Sequence, residues 1–188
     1  REIGTPVALK VMSPQILHKT EAGIIALSLS GEEEIRRSYT QLVEAARSYD
    51  PQARIDGVLC QRMAAGAVAE AIVGLLVDPQ FGPAVIFGMG GVMVEVLGDR
   101  ALGVPPLDRD TARLMIEQTR TSRILNGFRG APPADIEALI DVLIGVGNLA
   151  VDWSGRIEAL DINPLLIMPE GRGVAAVDAL LVLKGEGT

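Results

Sequence analysis

Leu160-Asp161-Ile162-Asn163-Pro164-Leu165, followed by Val177-Asp178-Ala179, is the stretch on which the reading of this chain turns. Both segments read as short apolar strands, each with an oxygen ligand where a core residue is expected. Strand side chains alternate between faces, so Asp161 and Asn163 point the same way. If the two segments pair as neighbouring strands, Asp178 joins them. Such a set of hard oxygens on one sheet face suits Mg²⁺, which takes carboxylate or carbonyl oxygens and keeps bonds to water and phosphate. A plainer reading also fits the spacing: Asp161 and Asn163 shape a turn before Pro164, and Asp178 caps a helix.

The rest of the chain bounds what such a face can do. Its 188 residues suffice for one domain or two small lobes with a real core. Hydrophobic residues make up 48% but aromatics only 3%, so the core is aliphatic and Ala-rich. The formal net charge is −7, without a basic run, which argues against nucleic-acid partners and an anionic membrane surface. Apolar stretches are too short for a membrane span, or carry acids such as Glu70, Asp78 and Asp141, and no signal peptide is expected. Cys60 is the only cysteine and His18 the only histidine. An internal disulfide and a Cys/His zinc site are thereby excluded, and a reducing, cytoplasmic setting is expected. Any histidine chemistry within the chain falls to His18.

Upstream of the opening stretch, Pro6 to Met12 reads as a buried strand ended by Ser13-Pro14. A polar turn holds His18-Lys19-Thr20-Glu21-Ala22-Gly23. Strands are expected at Ile24 to Leu29, Val58 to Met63, Val68 to Val77, Ala84 to Phe87 and Val92 to Leu97. Ser30 with Glu33 reads as a capping box for a helix striped by Ile35, Tyr39, Leu42, Val43 and Ala46. Asp108 caps a helix to about Thr121. Asp135 opens a longer one with Ile136, Leu139, Ile140, Leu143 and Val146 on one face. Ile157 to Ile167 and Gly173 to Val177 close the chain. Strands and helices do not alternate strictly, which favours α+β over a doubly wound sheet.

Several residues stand out within these elements. The run Phe87-Gly88-Met89-Gly90-Gly91-Val92-Met93-Val94-Glu95 could bring backbone N–H groups to phosphate oxygens, or simply form a glycine-rich hairpin. It matches neither the dinucleotide fingerprint nor the P-loop. Lys10 lies inside an apolar strand, where a phosphate would partner it unless its ammonium reaches water at an edge. Glu70 alternates with Val68 and Ile72 and could receive a ribose hydroxyl, or face solvent. Gln61-Arg62-Met63 ends a strand and could offer backbone groups to an adenine edge. His18 is the candidate for proton or phosphoryl transfer, or an ordinary exposed histidine.

In order along the chain, these segments resemble the ATP-grasp domain of nucleoside-diphosphate-forming acyl-CoA synthetases. The resemblance rests on Pro6 to Gly23, Asp78-Pro-Gln-Phe-Gly-Pro83 with the glycine run, Asn126-Gly-Phe-Arg-Gly130 and Asp161-Ile-Asn-Pro-Leu165. It implies an ATP-grasp fold of two α+β lobes, roughly 1–63 and 64–188, without the N-terminal helical segment. It also implies a reaction that interconverts acyl-CoA, ADP and phosphate with free acid, CoA and ATP through a phosphohistidine. By position, Lys10 would contact phosphates, Gln61, Arg62 and Met63 would form the adenine-side hinge, and Glu70 would face the ribose. Gly90 and Gly91 would lie near the phosphates, and Asn163 and Asp178 would hold Mg²⁺. His18 would accept the phosphoryl group, with Asp161 orienting its ring. The expected partners are CoA-binding and phosphohistidine-carrying domains or a subunit, with oligomerisation a further expectation.

The sequence departs from the family pattern at two places. Glu21-Ala22-Gly23-Ile24 stands where the family has Asp-Val-Gly-Gly, and Ala159 stands where it has Glu. These departures admit an alternative: a regulatory, non-catalytic domain of the kind found beside an acetyltransferase domain in bacterial protein lysine acetyltransferases.

Overall fold

A computed structural model describes residues 3–16, 19, 21–90, 98–127 and 130–185. His18, Gly91 and the strand expected at Val92 to Leu97 lie outside these residues. The chain divides into two compact units, Arg1–Ala65 and Gly66–Thr188.

In the first unit, β1 (Val7–Met12) lies between β2 (Ile25–Leu29) and β3 (Gly57–Arg62), antiparallel to both. Alternation divides β1 cleanly. Val7, Leu9 and Val11 enter a core with Ile24, Leu29 and the helix α1 (Glu32–Tyr49), while Ala8, Lys10 and Met12 take the opposite face.

The start and stripe of α1 differ from the sequence expectation. Gly31, not Ser30, is the N-cap, and it makes no side-chain cap bond. Instead the Ser30 backbone N–H donates to Glu34 Oε2 at 3.0 Å, which holds the Glu34 carboxyl below its ordinary range. The buried stripe runs Ser38, Leu42 and Ala46, and Tyr39 is 50% exposed. Three consecutive acids, Glu32 to Glu34, leave the box register open in sequence, and the backbone selects the last.

Among the described residues, the second unit is a six-stranded sheet backed by helices. Its order is β6 (Arg100–Gly103), β5 (Gly82–Met89), β4 (Ala69–Asp78), β7 (Ile157–Ile167) and β8 (Val174–Ala176), with β9 (Ala179–Leu183) also paired to β7. Every pairing is antiparallel. Helices α2 (Arg109–Gln118) and α3 (Ile136–Asp152) cover one face. Ala112, Met115, Ile116, Leu139, Ile140 and Leu143 pack there on Val73, Val85, Phe87, Leu165 and Ile167. Mixed helices and antiparallel sheets confirm the α+β expectation.

Both helices start as their sequences predict. Thr111 N–H donates to Asp108 Oδ1 at 2.7 Å, and Ala138 N–H donates to Asp135 Oδ1 at 3.1 Å. Helix α2 stops at Gln118 rather than near Thr121, and a 3₁₀ segment, Arg120–Asn126, takes over. Across the two helices, Arg109 bonds Asp141 at 2.6 Å and Glu137 at 2.5 Å, and Arg113 also reaches Glu137. These side chains are about half exposed, so the network contributes modestly. Among the described residues, no helix is long and apolar enough to cross a membrane.

Strand β7 breaks its own alternation twice. Glu158 is an extra residue relative to β9, where Ile157 pairs Leu183 and Ala159 pairs Val182. Asn163 and Pro164 together face the single residue Ile72, because Ala71 pairs Leu165 and Val73 pairs Ile162. This is a β-bulge, and it accommodates a proline that has no ladder N–H to give. The neighbouring edge breaks at the same level. The one closing strand expected from Gly173 to Val177 is instead two, β8 and β9, with Val177 and Asp178 between them.

Candidate functional site

The face of the second unit's sheet opposite α2 and α3 carries the opening motif. Cross-strand pairing sets Asp161, Gly74, Ile86 and Leu102 in one row on this face. The adjacent row holds Ile72, Gly88 and Arg100, and ends at the bulge. A concavity of about 390 Å³ opens over these rows, bordered among others by Gly74, Gly88, Arg100, Asp161 and Asn163. Asp161 and Asn163 thus share a face, as alternation requires.

Asp178 is tied to Asn163 through backbone pairing. Where β8 gives way to β9, the Asn163 N–H donates to the Asp178 carbonyl at 3.2 Å. Val177 N–H donates to the Pro164 carbonyl at 3.2 Å. The bulge therefore sits against the strand break, and Asn163 and Asp178 become neighbours. Asp178 Oδ1 accepts from the Ala179 N–H at 3.1 Å, which orients the carboxylate.

An amide oxygen and a carboxylate at one ladder break form a hard-oxygen donor set, and that chemistry fits Mg²⁺. Among the described residues, no three His, Cys, Asp or Glu side chains converge on one point. A cation here would complete its shell with water or phosphate oxygens. Ala159, the departure noted in sequence, pairs Leu76 and Val182 on the same face.

Glu70 and Gly90 also meet on this unit. Gly90 N–H donates to the Glu70 carbonyl at 2.6 Å. A Cβ on Gly90 would lie 3.0 Å from Glu70 Cβ and 3.2 Å from its carbonyl carbon and oxygen. Glycine suits this position because the chain approaches Glu70 closely. Gly91 lies outside the described residues.

Within the first unit, Lys10 pairs Leu59 and Ala8 pairs Gln61, so Lys10 and Gln61 share a face. Lys10 is only 7% exposed. Arg62 pairs Val7 and turns to the other face, where its Nε donates to the Ile3 carbonyl at 2.9 Å. Met63 N–H donates to the Pro6 carbonyl at 3.0 Å, so any contact of Met63 with a base falls to its carbonyl or side chain. His18 lies outside the described residues.

Sequence reading did not single out Gly74 or Arg100, and it took Gly88 only as part of the glycine run. Gly74, isolated inside a ten-residue apolar strand, was the available signal. Its Cβ would meet the Leu160 carbonyl at 3.4 Å and Ile86 Cβ at 3.7 Å.

Comparison with known proteins agrees with this architecture. A family model described as an ATP-grasp domain matches residues 1–183. The beta subunit of acetate–CoA ligase (ADP-forming) II from Pyrococcus furiosus is 44% identical over 184 residues, which is 98% of this chain and 78% of that protein. A dinucleotide-forming acetyl-coenzyme A synthetase 1 from Ca. Korarchaeum cryptofilum was solved with coenzyme A and Ca-AMPCP. It superposes with TM-score 0.91 at 43% identity, covering 98% of this chain and 79% of that one. The same synthetase was also solved with coenzyme A and Mg-AMPPCP, its phosphohistidine segment pointing towards the nucleotide-binding site. That structure matches with TM-score 0.80 at 40% identity, covering 98% of this chain and 79% of that one. These relatives are ligases and synthetases, and they give the acetyltransferase-linked alternative no support. With the family model spanning almost the whole sequence, the chain belongs to the ATP-grasp domains of the ADP-forming acyl-CoA synthetases.

Proposed function

We propose that this domain binds ADP or ATP with Mg²⁺ and carries the phosphoryl-transfer half of the acyl-CoA synthetase reaction. CoA-binding and phosphohistidine-carrying domains or a partner subunit complete that reaction in a reducing, cytoplasmic setting. The single observation behind the reading is the coincidence of the Asn163–Pro164 bulge with the β8–β9 break, beside a glycine-floored concavity. Support also comes from the nucleotide analogues and coenzyme A bound by the synthetase relatives.

Phosphoryl transfer needs positioning and charge neutralisation more than covalent activation by many side chains. Asn163 and Asp178 would hold Mg²⁺, which when bound neutralises phosphate charge. Lys10 is proposed to contact phosphate, and Gln61, Arg62 and Met63 to present the base-side strand end. Glu70 faces the ribose, and Gly90 with Gly91 lies by the phosphates. In the transfer, the bond from the γ-phosphorus to the bridging oxygen breaks and a nitrogen–phosphorus bond to an imidazole forms, with ADP leaving. His18 is the acceptor proposed within this chain, and Asp161 is the carboxylate proposed to orient the imidazole.

Calorimetry on the full-length protein tests this, using ADP and ATP with Mg²⁺ or with a chelator. Mg²⁺ should tighten binding by about tenfold or more, and Asp178→Ala should reduce affinity in Mg²⁺ to that in chelator. A folded wild-type protein that binds neither nucleotide defeats the proposal.

A further inference from the structure

Arg100 stands on the outer face of the second unit's sheet, at the far end of a row from Asn163. Arg100 pairs Gly88, Gly88 pairs Ile72, and Ile72 faces the Asn163–Pro164 bulge. Four strands span about 14 Å at the usual interstrand spacing. The next row runs Leu102, Ile86, Gly74 and Asp161. Each polar end therefore has a glycine beside it: Gly88 next to Arg100, and Gly74 next to Asp161. The side chains that would fill the floor at those two points are missing. Arg100, Gly88, Gly74 and Asp161 all border the concavity.

The Gly88 position is also tight. A Cβ there would meet the Asp99 carbonyl at 3.2 Å and Arg100 Cγ at 3.5 Å. The stem of Arg100 thus lies along the sheet beside Gly88, and the residue is exposed. Asp99, its chain neighbour at the rim, accepts from the Arg120 N–H through Oδ1 at 3.0 Å. The chain carries −7 overall and Asp161 faces the same concavity, so a polyanion seated here needs positive charge at the end remote from the metal ligands.

We infer that Arg100 is a phosphate-binding residue, gripping the nucleotide's polyphosphate at the end of the concavity opposite Asn163. The inference rests on the nucleotide reading of this face. A guanidinium offers a planar fork of donors matched to phosphate oxygens. Placed opposite the metal ligands, it neutralises charge on the diphosphate as that group leaves.

Titration of the full-length protein with Mg-ADP tests the assignment, comparing wild type, Arg100→Ala and Arg100→Lys, with the unliganded melting midpoint of each. Arg100→Ala should raise Kd about tenfold or more, from loss of a charge-assisted bond. Arg100→Lys should fall between, keeping the charge without the fork. All three unliganded midpoints should coincide. An Arg100→Ala Kd within about twofold of wild type overturns the inference, and so does weakened binding accompanied by a lowered midpoint. Failure of wild type itself to bind Mg-ADP is a different result, and removes the nucleotide reading.

Discussion

Removing the Asp135 carboxylate should loosen the hairpin that carries the candidate metal ligands. Asp135 is 7% exposed and uses both oxygens. Oδ1 accepts from Ala138 N–H at 3.1 Å and caps α3, while Oδ2 accepts from Gly173 N–H at 2.7 Å in the β7–β8 turn. One side chain thus joins the start of a core helix to the turn between β7 and β8. Loss of the cap costs about 1 kcal/mol, and leaving the Gly173 N–H unsatisfied costs about 1–3 kcal/mol. For Asp135→Ala the sum is about 3 kcal/mol, or a melting midpoint lower by about 6–12 °C for a chain of this size.

Asp135→Asn separates the two roles. Its amide oxygen can still cap the helix, but its NH₂ then meets a second N–H donor, so roughly half the loss should remain. The wild-type advantage should also depend on pH. The Gly173 and Ala138 N–H bonds hold the Asp135 carboxyl below its ordinary value. A depressed carboxyl contributes stability that is present above the unfolded pKa of about 3.9 and is lost as pH falls through the lower folded value. Urea unfolding of wild type and Asp135→Asn between pH 7 and about pH 2.5 measures this directly. Equal midpoints at neutral pH, or a gap that does not shrink below about pH 4, would refute the reasoning.

Gly90→Ala should destabilise by about 1–3 kcal/mol, because the new methyl would meet Glu70 backbone at 3.2 Å and no flexible side chain can yield there. An unchanged urea midpoint would show that the close approach is not needed. His18→Ala should abolish phosphoryl transfer from ATP to the chain while sparing nucleotide affinity. Phosphorylation of the variant at the wild-type rate would remove His18 from the acceptor role.

Much of the fold was legible because local chemistry and tertiary packing agree. Helix α3 announced itself through Ile136, Leu139, Ile140, Leu143 and Val146 behind an Asp135 cap, and its buried face follows that stripe. Alternation also put Asp161 and Asn163 on one face, as found. Alternation then misleads. Strict period two would place Leu165 and Ile167 beside Asn163 in the open, yet they are 2% and 0% exposed. The bulge resets the phase, and only Pro164 hints at it. Nor does sequence foretell that Arg100 lies beside Gly88, because that depends on the register of β6 on β5, a tertiary property. Met63 marks another limit. Its place at a strand exit was visible, but the bond that commits its N–H to Pro6 was not.

The bulge also gives β7 two reading frames. Before it, Leu160 and Ile162 are the residues turned to the helices, and after it, Leu165 and Ile167. A single strand thereby serves a polar face and an unbroken aliphatic core without either pattern dictating the other. Deleting one residue at the junction would leave a single residue opposite Ile72 and restore regular alternation, keeping Leu165 and Ile167 turned to the helices. What it would remove is the bulge that sets Asn163 against Asp178. The extra residue at this step therefore serves the polar face and not the core.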